Sequence, residues 1–206
     1  DRWSVQYWNT YVENIMNTQF ASAEWKSPLM GGKTWFLGGQ VVSQKAIGQG
    51  GASEEHPHRY IEEGEGSLVF SGRVGARSKK FDYYLNATRI TGKGRYLMPR
   101  EWGREPFYTF MPRERNEGFG NLTAVTVNTY WKPEKHIKLE LSGGYFQLPD
   151  VRNFALNKYG MPSYSQVNAG LTYQFDHFLE GLNLLVLVVR KDEIGETYQN
   201  DRFVFN

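Results

Sequence analysis

Apolar and polar residues alternate along most of this chain, in stretches long enough for extended strands of roughly ten residues or more. In one of them Ile137, Leu139, Leu141 and Tyr145 fall on odd positions, and Lys138, Glu140 and Ser142 on even ones. Another sets Val167, Ala169, Leu171, Tyr173 and Phe175 against Gln166, Asn168, Thr172 and Gln174. Strand side chains point alternately to opposite faces, so each segment has one oily and one water-compatible face. Leu68, Phe70, Val74 and Ala76 oppose Ser71, Arg73 and Arg77 in the same way. Phe81, Tyr83, Leu85 and Ala87 oppose Asp82, Tyr84, Asn86 and Thr88, and Val125, Val127 and Trp131 oppose Ala124, Thr126 and Asn128.

The pattern predicts strands near 2–12, 15–26, 34–47, 66–77, 81–91, 119–131, 136–148, 164–175 and 182–191, with a further one starting near 202. At ~3.4 Å per residue, a stretch of roughly 12 residues extends ~40 Å. Tilted by ~45°, it crosses the ~25 Å apolar band of an outer-membrane barrel. The connections alternate in length. Ser78-Lys79-Lys80, Pro133-Glu134-Lys135 and 176–180 read as short turns, while 48–65, 92–118 and 149–163 are long. Long loops on one side and short turns on the other are the asymmetry of such a barrel. The short connection at Val12-Glu13-Asn14 falls, by count, on the long side. The wet faces predict a wide lumen, because in a small soluble barrel they would need dense hydrogen bonding. An ordinary antiparallel sandwich also alternates, but its strands average only ~5–6 residues.

Composition narrows this. The chain has 206 residues, enough for one domain. Its longest apolar run, Leu184 to Val189, falls far short of the ~18 residues of a spanning helix. Aromatics at 16% and 22 glycines suit a bent sheet with interfacial girdles. With no cysteine, disulfides and thiolate metal sites are excluded. The net charge of +2 is too slight to argue for nucleic acid. Asp1 falls inside a strand-like segment and Arg202–Asn206 reads as a strand beginning. Residues 1–206 are therefore expected to be part of a single barrel domain, truncated at both ends, with any export signal upstream.

The loop Gly92-Lys93-Gly94-Arg95-Tyr96-Leu97-Met98-Pro99-Arg100-Glu101-Trp102-Gly103-Arg104-Glu105-Pro106-Phe107-Tyr108-Thr109, followed by Arg113-Glu114-Arg115-Asn116-Glu117, resembles the OprD family of outer-membrane porins in the form found in Bacteroidota. The specific part is the order Pro, Trp-Gly, acidic-Pro, aromatic-Thr, then Asn-Glu before the next strand. Tyr7-Trp8-Asn9-Thr10-Tyr11-Val12-Glu13-Asn14-Ile15 also resembles the family's aromatic strand and turn. The resemblance covers essentially the whole chain. It implies an all-β, antiparallel transmembrane barrel of about 18 strands, of which this chain would be the C-terminal half without the final strand. No terminal aromatic of the kind that closes such barrels is present.

The resemblance further implies passive, substrate-selective diffusion of small solutes, often carboxylate-bearing or amino-acid-like, with no catalysis, metal or cofactor. A ladder of lumenal basic residues would guide the anionic group past a constriction made by inward-folded loops. Guanidinium suits that task, being permanently charged and able to bind a carboxylate through two donors. The candidates are Arg73 and Arg77 on one inward face, with Arg95, Arg100, Arg104, Arg113 and Arg115 in or beside the long loop. Asp82, Glu114 and Glu117 are candidates for an opposing acidic wall. The loop arginines could equally be solvated or bind lipopolysaccharide phosphates. Arg89 falls on the oily face and is expected to snorkel to the rim.

Trp3, Trp35, Phe81, Trp131, Tyr145, Tyr173 and Phe175, with Tyr130, lie near predicted strand ends, where interfacial belts sit. The expected partners are outer-membrane lipid, lipopolysaccharide and small solutes; monomer and trimer both stay open.

Other signals are set aside. Gly31-Gly32-Lys33-Thr34 leads into a strand and not a helix, so it reads as a turn. His56 and His58 lack a third ligand in register. The acidic run Glu54, Glu55, Glu62, Glu63 and Glu65 reads as a solvated loop. Asn86-Ala87-Thr88 and Asn121-Leu122-Thr123 match a glycosylation sequon but fall in predicted strands. Neither a Gly-x-Ser-x-Gly elbow nor another nucleophile set is evident. The rival readings are an outer-membrane hydrolase on a barrel of about ten strands, and a non-conducting structural barrel or adhesin.

Overall fold

The fold was described from a computed structural model, covering residues 2–29 and 31–198. The described residues form a single nine-stranded sheet whose spatial order is the order of the chain. The strands are β1 (Trp3–Val12), β2 (Met16–Leu29), β3 (Lys33–Ala46), β4 (Gly66–Arg77), β5 (Phe81–Ile90), β6 (Thr123–Glu134), β7 (Ile137–Gln147), β8 (Ser163–Gln174) and β9 (Asn183–Ile194). Each pairs antiparallel with the next. The sheet is open, because β1 and β9 pair only with β2 and β8. Strands of 10 to 14 residues are about twice the ordinary length.

The connections sort by end. Turns at Gly31-Gly32, 78–80, 135–136 and 175–182 lie at one end. The turn 13–15 and the loops 47–65, 91–122 and 148–162 lie at the other. The short turn that breaks the length pattern is docked into a long loop. Asn14 adopts φ 57°, donates from Nδ2 to Ala52 O at 3.0 Å and accepts from the Gln49 amide at 2.8 Å. A short connection is tolerated there because its polar groups are satisfied by its neighbour.

The oily faces point away from the concave side. Leu37, Leu85, Val127 and Leu141 are 49–59% exposed on the convex face, a continuous surface that water would not favour. The hydrophobic core lies on the concave side instead. There the loop 91–122 folds inward, and its Tyr96, Phe107 and Met111 pack on Phe20, Val69 and Phe146 of the wall. A smaller cluster joins Met16, Ile61 and Leu97.

Several boundaries differ from expectation. The strand predicted from 119 begins at Thr123, because Phe119 is held in isolated bridges to Tyr96 and Asn157. Asn121-Leu122-Thr123 therefore straddles the start of β6. β6 runs on through Pro133 to Glu134, where a turn was expected, with a register shift between Trp131 and Glu134. A bulge accommodates a residue that has no N–H to donate. β2 extends to Leu29 and β9 to Ile194, each three residues past its expected end. The strand expected near 202 lies outside the described residues.

Candidate functional site

The wet face of the wall divides at mid-height. Toward the loop end its polar side chains are buried against the inward-folded loop. Gln44 donates from Nε2 to Leu97 O at 2.8 Å and accepts from the Leu97 amide at 2.9 Å, clamping one peptide unit from both sides. Gln40 donates to Pro106 O at 3.0 Å. Ser71 accepts from the Tyr108 amide at 3.1 Å, and Thr109 bonds Thr88 at 2.8 Å. From the far side of the sheet, Gln166 and Asn168 both donate to Pro112 O, at 2.8 and 3.0 Å. Of these, Ser71, Thr88, Gln166 and Asn168 were expected to face lumenal water. They do not, because the loop's unpaired backbone groups need buried partners.

Toward the short-turn end the same face opens. Arg73, Arg77, Lys132 and Lys138 line an open concavity of about 440 Å³ with Asp82, Tyr84, Tyr108 and Tyr130. Arg73 is fixed where the loop meets this region. Its guanidinium lies 4.4 Å from the ring centre of Tyr108 and 5.6 Å from that of Tyr84, and it pairs with Glu24. Cross-strand register makes the pairing possible. Glu24, Gly38 and Arg73 are successive partners on β2, β3 and β4, and a Cβ on Gly38 would meet Tyr108 Oη at 2.7 Å and Arg73 Cγ at 3.2 Å. Glycine leaves room for the arginine to lie across β3. Arg77 donates to Tyr84 Oη at 2.8 Å and lies 3.3 Å from Asp82.

The loop arginines are not brought into one file with these two. Arg95 lies 3.4 Å from Glu65, which also accepts the Arg95 amide at 3.0 Å, so it ties two loops together. Burial raises the Glu65 pKa, but the hydrogen bonds from Arg95 outweigh it and leave the carboxyl below its ordinary range. Arg100 begins the short 3-10 turn Arg100–Trp102. Arg104 is exposed, 5.2 Å from the Phe110 ring centre. Arg113 is exposed with φ 68°. Arg115 donates to Met98 O at 3.1 Å and lies 3.7 Å from Glu117.

The three acids expected as a wall are likewise separated. Asp82 belongs to the open region, between Arg77 and Lys132. Glu117 is buried, accepting from Tyr159 Oη at 2.7 Å, with Lys158 at 3.5 Å. Glu114 is buried beside Tyr164, and its pKa is raised well above the ordinary value by burial and by the nearby Glu105 charge. A single acidic face does not form, because the loop turns Glu114 and Glu117 into its own packing.

Sequence reasoning missed Glu105. Its carboxylate is 3% exposed and accepts from the Asn116 amide, from Asn116 Nδ2 at 2.6 Å and from the Glu117 amide at 3.1 Å. It closes the loop on itself. Burial pushes its pKa up to about 7 against the lowering effect of those donors and of Arg115. Lys26 and Lys132 were also missed as lumenal cations, although parity with Glu24 and Tyr130 marked their face, and Lys138, read on the wet face, was left out of the basic candidates.

Trp3, Trp35, Phe81, Trp131, Tyr145 and Tyr173 all point to the convex side. Phe81 and Trp131 stack at 6.0 Å, and Tyr173 meets Phe175 edge-on at 4.9 Å. Tyr145 lies toward the loop end and the others toward the short turns. Arg89, on the same face near the loops, donates to Thr123 Oγ1 at 2.9 Å and to Asn121.

No protein-family model and no curated protein matches the chain. Solved structures do. Similar ones include Acinetobacter baumannii OccAB4 (TM-score 0.74, 13% identity, 93% of this chain and 45% of that one). Pseudomonas aeruginosa OccK11 (OpdR) gives TM-score 0.73 at 12% identity, over 93% of this chain and 50% of that one. P. aeruginosa OccK2 (OpdF), solved with glucuronate, gives 0.72 at 10% identity, over 92% and 48%. The chain thus spans about half the length of the structures it matches. At this identity the likeness establishes the fold alone: the chain folds like about half of the β-barrel in these outer-membrane proteins.

Proposed function

We propose that this chain forms part of the wall and the inward-folded loop of an outer-membrane channel for passive diffusion of small solutes, with a preference for carboxylate-bearing or amino-acid-like ones. The observation that carries the reading is Arg73. It sits on the open wall at the point where the loop comes down, under Tyr108, so a solute clearing the loop passes a fixed guanidinium. Lys132, Lys138 and Arg77 continue the positive surface toward the short-turn end. A permanently charged fork is matched to a carboxylate, and neighbouring cations let the anion be passed on without being trapped. The glucuronate in the OccK2 (OpdF) structure supports an acidic solute, and small ions would share the same aqueous path. The oily convex face, with its aromatics at both ends, supports contact with lipid.

The test uses the complete barrel in liposomes. Swelling should be faster in a small organic acid than in a neutral solute of equal size, and Arg73→Gln should remove most of that difference. Equal rates overturn the carboxylate preference. A folded barrel that passes no current in a planar bilayer overturns the channel.

A further inference from the structure

The cations of the open wall are not bare. Asp82 Oδ2 lies 3.3 Å from Arg77 Nε and 3.2 Å from Lys132 Nζ, bridging from β5 to the strands on both sides. Its side chain is 7% exposed, and Oδ1 has no hydrogen-bond partner. Glu24, on β2, likewise meets two cations, with Oε1 3.2 Å from Lys26 Nζ on its own strand and Oε2 on Arg73 of β4. Lys138 has Glu140 at 3.8 Å. Five cations thus share three carboxylates, leaving the wall positive but already half satisfied.

That arrangement bears on transport. Unopposed guanidinium and ammonium groups in a narrow bore would hold an anion tightly, whereas conduction needs a site that is easily left. A carboxylate already in place turns binding into exchange: the solute anion gains a cation only as the internal pair loosens. We propose that Asp82 and Glu24 are resident counter-ions, displaced by a passing anion from Arg77, Lys132 and Arg73, and that they set how long the wall holds it. The proposal rests on the channel reading above. It assigns that role to two acids that no basic ladder requires, one of which, Glu24, Arg73 reaches across Gly38.

Competition and mere positioning predict opposite signs. If Asp82 competes with the solute, Asp82→Asn tightens anion binding. If it only fixes Arg77 and Lys132, the same change slackens them and weakens it. The complete barrel in a planar bilayer, with propionate as probe, reads this as interruptions of the ion current. Asp82→Asn should lower the half-blocking propionate concentration about tenfold and lengthen each interruption, and Glu24→Gln should do so several-fold. Lys132→Gln should raise it. An unchanged or higher half-blocking concentration in both acid variants overturns the proposal, as does a conducting barrel that propionate never interrupts. Heat-modifiable electrophoretic mobility reports whether each variant is folded; if Asp82→Asn is not, Glu24→Gln decides. A wild-type barrel without conductance would instead overturn the channel reading, so the two failures are distinct.

Discussion

The upper and lower halves of the concave face are made by the same strands in the same register, yet they are different materials. On β4, Ser71 is buried and bonded to Thr88 and to the Tyr108 amide, while Arg77, six residues on, is exposed. On β7, Phe146 is fully buried under the loop, whereas Lys138 lies on the open wall. One half is a dry seam that stores a loop. The other keeps its charges in or near water. The difference teaches that strand parity chooses a face but not its medium; what lies over the face chooses that.

Removing the loop's own closure should erase the contrast most strongly. Glu105→Ala leaves the Asn116 amide, the Asn116 side chain and the Glu117 amide without their acceptor. At ~1–3 kcal/mol for each buried unpaired group, loop docking should weaken by about 4 kcal/mol. Hydrogen exchange at Asn116 and Glu117 should rise by orders of magnitude, with the strands unaffected.

Alkali should act on the same group. The Glu105 pKa in the docked loop, about 7, lies above the ordinary 4.5. The protonated form is therefore favoured by docking. Its stabilisation is complete below about pH 4.5 and lost as pH rises through about 7, amounting to about 3 kcal/mol at most. Protease cleavage within 100–118 should rise across that range, and Glu105→Gln should make the profile shallower, with the buried Glu114 supplying what remains.

Gln44→Ala tests the seam from the wall side. It unpairs both polar groups of Leu97 and should cost about 2 kcal/mol, seen as roughly thirtyfold faster exchange of the Leu97 amide. In the open half, Lys138→Ala should change stability by under about 0.5 kcal/mol in denaturant titration. A seam-sized loss there would show that the two halves are not distinct.

Much of this was legible beforehand. Alternation placed Leu139, Leu141 and Val127 on the oily face and Asp82, Asn86 and Arg73 on the wet one, since period two is a local property of extended backbone. The Gly31-Gly32 turn, with φ of 75° and 70°, was equally local. The roles of the charges were not. Arg95 and Arg73 are both arginines near a wet face, yet one staples two loops and the other stands on the open wall. Nothing within a few residues of either distinguishes them. Glu105, Glu114 and Glu117 acquire their burial from where a thirty-residue loop comes to rest, as do Phe146 and Ile90, apolar residues on a face read as wet. Sequence alone fixed the strands, their faces and the end at which the loops gather, because these follow from steric alternation and turn chemistry. Only the tertiary structure decided which polar side chains meet solvent and which satisfy backbone, because desolvation depends on contacts between residues far apart in the chain.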